Sequence, residues 1–164
     1  MAGGRARAVA AQGFTLIELV ITVAIVALLA SVALPVSELA VQRTKEQELR
    51  RTLRQIREAI DVYKQASDEG RIRKSIGDSG YPKKLEELAE GVDDQKSPKK
   101  DKVYFLRRIP RDPLNGDPTL SAAATWGKRS YASPPDDPSE GDDVFDVFSL
   151  AAGKGIDGRP YRDW

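Results

Sequence analysis

Gly13-Phe14-Thr15-Leu16-Ile17-Glu18 opens an apolar run that continues to Val36. Within residues 14–36 only Glu18 is charged, and Thr15, Thr22 and Ser31 are the only other polar side chains. A helix needs roughly 20 such residues to cross a bilayer, so this run is long enough. A carboxylate inside such a segment is costly and marks function. Arg5 and Arg7 are the only charges before the run, and the next basic residue is Arg43. Positive charge on the N-terminal side favours keeping that side in the cytoplasm. Everything after residue 36 is then expected across the membrane, in a periplasm-like space. Pro35 removes a backbone donor near the end of the run. It reads either as a kink or as an ordinary proline closing a membrane span.

Beyond Pro35 the pattern stays helical to about residue 67. Leu49, Leu53, Ile56, Ile60 and Tyr63 recur at spacings of four and three, which is one apolar stripe on a helix. Gly70 is a plausible stop. A helix over residues 14–66 is about 80 Å long at 1.5 Å per residue. The spacing predicts a first part that meets lipid or neighbouring subunits and a second part that packs on a globular head. Residues 37–48 are mostly polar after Val41 and lack that stripe, so in isolation they are poorly supported. Arg50, Arg54 and Arg57 share a face, but interleaved acids make this a solvated face rather than a nucleic-acid surface.

The remainder predicts a small head. Residues 67–80 are rich in Gly, Ser and Asp and read as a loop. Residues 81–88 read as a short helix with Pro82 in its first turn. Strand candidates begin at Val103 and cover residues 128–133 and 144–150. Three prolines and an Asn-Gly make residues 109–118 a turn. The expected class is α+β: a long N-terminal helix, membrane-spanning in its first half, packed on a small antiparallel sheet. The divisions are 1–13, 14–36, 37–67 and 68–164.

The 164 residues carry a net charge of +1, which hides an asymmetry. Residues 37–75 hold 10 basic and 7 acidic side chains, residues 113–164 hold 5 and 9. No nucleic-acid partner is expected from this balance. With no cysteine and no histidine, disulfides, Cys nucleophiles, Cys/His zinc sites and His-based triads are excluded. No remaining constellation suggests an enzyme.

A short basic leader, Gly13, and then Phe14-Thr15-Leu16-Ile17-Glu18 resemble the processing site of the type IV pilin-like family. Within it, the major pseudopilin of type II secretion systems is similar in the head as well. The matching residues are Tyr81-Pro82, Pro110-Arg111-Asp112-Pro113-Leu114-Asn115, Trp126-Gly127, Tyr131, and Ser149 through Asp157-Gly158 to Trp164. The resemblance implies cleavage of the leader between Gly13 and Phe14 by a prepilin peptidase and N-methylation of Phe14. It implies a helical homopolymer assembled through Glu18, with minor pseudopilins, an inner-membrane platform and a cytoplasmic ATPase as partners. Before assembly the helix lies in inner-membrane lipid with the head in the periplasm.

Cleavage leaves a charged amine on Phe14, and a buried charge needs a partner. Glu18 supplies one, either to a neighbouring subunit or, four residues away, to its own chain. Two other fates compete. A signal peptidase could cut at Ser31-Val32-Ala33 and release a soluble protein, or the run could stay as an uncleaved anchor. The functional alternatives are a type IV or competence-type pilin (adhesion, motility, DNA uptake) and a membrane-anchored periplasmic domain unrelated to filaments. The resemblance also implies structural calcium in the C-terminal loop, for which Asp157 and Asp163 are the candidate ligands. The family's longer Gly-rich loop is missing there, and basic residues crowd both. A second acidic group, at Asp136, Asp137, Glu140, Asp142 and Asp143, reads as an exposed loop.

Overall fold

The computed structural model describes residues 13–164, apart from the side chains of residues 32–35. The leader residues 1–12 and any kink set by the Pro35 ring therefore lie outside the described residues, as does most of the Ser31-Val32-Ala33 site. Helix α1 spans Leu16–Asp68, 53 residues. It ends where expected: Gly70 takes φ +73°, the left-handed conformation that glycine adopts at helix ends without steric cost. The chain divides into two compact units between Val41 and Gln42. In the first unit, every described side chain from Phe14 to Ser31 is exposed. This is the pattern of a helix with no protein around it, and α1 has the length and composition to cross a membrane.

The second unit is α+β. Its remaining elements are α2 (Glu87–Glu90), β1 (Val92–Asp93), β2 (Lys102–Val103), β3 (Trp126–Arg129) and β4 (Asp146–Ser149). Single 3-10 turns lie at Ala123–Thr125 and Tyr161–Asp163. The strands form two separate antiparallel ribbons, β1 with β2 and β3 with β4.

The local differences from the sequence reading have identifiable causes. The strand expected from Val103 ends at once, because the N–H groups of Phe105 and Leu106 both turn to the Leu88 carbonyl. The strand expected over 128–133 lies earlier, since the Ser130 N–H leaves the ladder for the Ser139 carbonyl. The strand expected over 144–150 starts at Asp146, because Val144 donates instead to the Pro82 carbonyl. In the helix expected over 81–88, the N–H groups of Glu87 and Leu88 bond three residues back, so regular α-helix is confined to Glu87–Glu90.

The core is built on the predicted stripe. Leu49, Leu53, Ile56, Ile60 and Tyr63 are all buried, joined by Ala59 and Ala66. Against them pack Leu85, Leu88, Leu106, Trp126, Val144, Val147 and Tyr161. Each fully buried Leu or Ile contributes roughly 1.5–3 kcal/mol relative to exposure, so the stripe is the main attachment of α1 to the ribbons. β3 faces β4 with Gly127 opposite Phe148. A Cβ at Gly127 would run into the Phe148 ring, which explains a glycine after Trp126.

Three residues of the head motifs meet in one buried cluster. Asp112 Oδ1 accepts the Leu114 N–H at 2.8 Å, and Oδ2 accepts the Ser149 hydroxyl. The Asp112 N–H donates to Thr125 Oγ1. The Trp126 indole N–H donates to the Pro110 carbonyl at 2.8 Å. The proline-rich turn is thus pinned to both strands of the second ribbon.

Candidate functional site

The N-terminal site is built by the first turn of α1. Thr15 is its N-cap: its carbonyl accepts the Leu19 N–H at 3.2 Å, and its Oγ1 accepts the Glu18 N–H at 3.3 Å. Thr15-x-x-Glu18 has the residue types of a capping box, in which a side chain satisfies an otherwise orphaned helix donor. Thr15 is a capping residue that the sequence reading did not single out, although the Thr-x-x-Glu spacing announces it. Phe14 precedes the cap and Leu19 follows Glu18, the two positions of a hydrophobic staple. Both are exposed.

Glu18 lies in the first turn, where the helix dipole favours a negative charge. Its carboxylate has no partner among the described residues. Phe14 lies ahead of the first helical residue, Leu16.

The C-terminal segment forms a second site on the other half of α1. Glu46 is buried and uses Oε1 to accept from Gln42 Nε2, the Ile156 N–H and the Tyr161 hydroxyl at 2.9–3.0 Å. Support for α1 in the second unit thus begins by Gln42 and Glu46, inside the stretch that looked unsupported in isolation. Burial, opposed by Gln42 and reinforced by Glu46, pushes the Tyr161 hydroxyl above its ordinary pKa.

Arg50 pairs with Asp157 at 3.0 Å and lies over the Trp164 ring, 4.1 Å from its centroid. Arg57 donates to Asp146 at 2.7 Å, to the Val147 carbonyl and to the Trp164 main-chain oxygen. Two of the three arginines that share a face are therefore bonded to the C-terminal segment and β4.

These contacts bear on calcium. Calcium takes six to eight oxygens, several from carboxylates. Asp157 gives Oδ2 to Arg50 and Oδ1 to the Arg159 N–H. Asp163 lines a cleft with Arg57, Arg129 and Arg162. Among the described residues no three acidic side chains are grouped to hold a metal ion. The second acidic group is likewise dispersed, with Asp143 bonded to Ser79 and the Tyr131 N–H, and Glu140 to Lys128. Arg50 thus engages one Asp157 oxygen, and Arg57, Arg129 and Arg162 line the cleft beside Asp163. Adding calcium or a chelator to the purified chain is expected to move its melting temperature by less than about 1 °C, since a ligand that does not bind the native state does not stabilise it. A rise of several degrees on adding calcium would establish a calcium site on this chain.

Residues 10–34 match the family model described as the prokaryotic N-terminal methylation motif. The chain thus carries a type IV pilin-like N-terminal signal, whose matched span includes Gly13, Phe14, Thr15 and Glu18. No curated protein and no solved structure matches the chain. The signal and the exposed apolar helix that follows it fit membrane anchoring.

Proposed function

We propose that this chain is a structural, non-enzymatic subunit of a type II secretion pseudopilus. In this reading the chain enters the inner membrane with its head in the periplasm. A prepilin peptidase cuts between Gly13 and Phe14, and the Phe14 amine is methylated. Subunits then polymerise through α1, driven by the cytoplasmic ATPase and membrane platform, and the growing filament moves folded substrates towards an outer-membrane channel.

The observation that carries the proposal is Glu18. It is a lone carboxylate in an apolar segment, in the first turn of a 53-residue helix, one turn beyond a Gly-Phe bond inside the matched motif. Its carboxylate is open among the described residues. A neighbouring Phe14 amine is the partner that would satisfy it away from water. The secretion branch draws support from the convergence of Asp112, Trp126 and Ser149, because these come from three of the five head segments that resemble the major pseudopilin.

Intact mass and N-terminal sequencing of the protein from its native membrane test the processing step. The expected product starts at Phe14 and is heavier by one methyl group. A start at Leu34 would mean a released soluble protein, and an uncut chain in a host with active peptidase would mean a plain anchor. Filaments confined to the envelope are expected for the secretion role. Filaments extending from the cell surface would favour a pilin for adhesion, motility or DNA uptake.

A further inference from the structure

The second unit carries an apolar groove and an acidic proline loop on opposite sides of α1. The groove encloses about 630 Å³. Its floor includes Val62 and Tyr104, both more than half exposed, and the half-buried Phe105. Arg71, Arg107 and Arg108 also line it. Asp94 neutralises Arg71 at 2.7 Å. Arg107 and Arg108 are exposed and have no partner among the described residues. Against them the groove holds one acid, Glu58, so its net charge is positive.

The loop is Pro134-Pro135-Asp136-Asp137-Pro138-Ser139-Glu140-Gly141-Asp142. Asp136, Asp137 and Asp142 are exposed, and their carboxylates have no partner among the described residues. The loop is braced from within. The Ser133 hydroxyl accepts the Ser139 N–H at 2.9 Å and donates to the Asp137 carbonyl at 3.2 Å, and the Ser130 N–H bonds the Ser139 carbonyl. Three prolines fix φ along it. A braced loop loses little entropy on docking.

The helix decides who can occupy the groove. At 100° per residue, Gln55, Ala59, Val62 and Ala66 cluster on one side of α1. Arg57, which shares a cleft with Pro135, Asp136 and Pro138, points about 170° away. A braced loop on one side does not reach its own groove on the other.

We infer that the acidic proline loop of one copy docks in the Val62–Tyr104–Arg107–Arg108 groove of the next, forming a head-to-tail contact between heads. Two different surfaces meet in such a contact, so it propagates along an open filament rather than closing a dimer. The carboxylates of Asp136 and Asp137 face the guanidiniums of Arg107 and Arg108, which sets register and excludes loops of the wrong charge. This inference rests on the filament reading above and names a contact in the head that the N-terminal helix does not supply.

The chain contains no cysteine, so an introduced pair is a clean reporter. The full chain carrying both Asp137→Cys and Arg108→Cys, oxidised in its native membrane, is expected to give a disulfide ladder of dimers, trimers and higher species. Either substitution alone is expected to give none. Arg107→Glu with Arg108→Glu is expected to lower assembled polymer by roughly tenfold or more, and adding Asp136→Arg with Asp137→Arg is expected to restore it. An amine cross-linker on the unsubstituted chain serves as the reference. Amine-linked multimers without a disulfide ladder overturn the loop–groove contact and leave the filament standing. A ladder that stops at the dimer also overturns it. The absence of multimers by either chemistry overturns both the contact and the filament reading.

Discussion

Glu18→Ala is expected to leave membrane insertion intact and to reduce filament assembly by roughly 100-fold or more. The change removes a carboxylate from an apolar helix, and acids oppose insertion, so the variant should enter the membrane at least as well. The cap survives, because Thr15 Oγ1 bonds the Glu18 main-chain N–H rather than its side chain. The loss of a favourable charge at the helix N-terminus costs only about 0.3–1 kcal/mol. The large effect falls on packing of subunits. An amine removed from water without its carboxylate costs roughly 3–5 kcal/mol, and each 1.4 kcal/mol is about tenfold in an equilibrium. Glu18→Gln keeps the size and removes the charge, so it should fail like Glu18→Ala if charge is the cause. The readout is polymer recovered from cells, alongside membrane-extracted monomer. Wild-type polymer from Glu18→Ala would end the filament reading and leave an ordinary anchored domain.

Trp126→Ala is expected to cost the second unit roughly 3–5 kcal/mol of unfolding free energy. Trp126 is 1% exposed and lies among the largest fully buried side chains. Its removal opens a cavity at the start of β3 and leaves the Pro110 carbonyl without its indole donor. Whole domains are stable by only about 5–15 kcal/mol, so the loss is a large share of the total. Trp126→Phe fills most of the cavity but cannot donate, and should fall between the two. Denaturant unfolding of the three proteins measures this. A midpoint unchanged in Trp126→Ala would mean that the motif cluster does not hold the ribbons together.

The long helix was readable because its signals are local and repeated. An apolar run long enough for a bilayer, a stripe from Leu49 to Tyr63, and a terminal glycine each state their conclusion within a few residues. All five stripe residues are buried. The strands were less readable because they are two to four residues long, too short for alternation to register. Their ends are set by competition for single backbone groups, as where Leu88 captures the N–H groups of Phe105 and Leu106. Glu46 illustrates a different limit. A lone glutamate in a polar stretch gives no local sign that Gln42, Ile156 and Tyr161 will surround it from up to 115 residues away.

By itself, the sequence determined the apolar segment, the single acid in it, the Gly-Phe junction, the helical stripe and the lack of Cys and His chemistry. These depend on residue type and spacing along the chain, which folding does not change. Only the tertiary structure decided that Arg50 and Arg57 bind the C-terminal segment, that Arg50 pairs with Asp157, and that an acidic loop and a basic groove stand on opposite sides of α1. Those facts depend on which distant charges are brought together when the stripe of α1 packs against the ribbons.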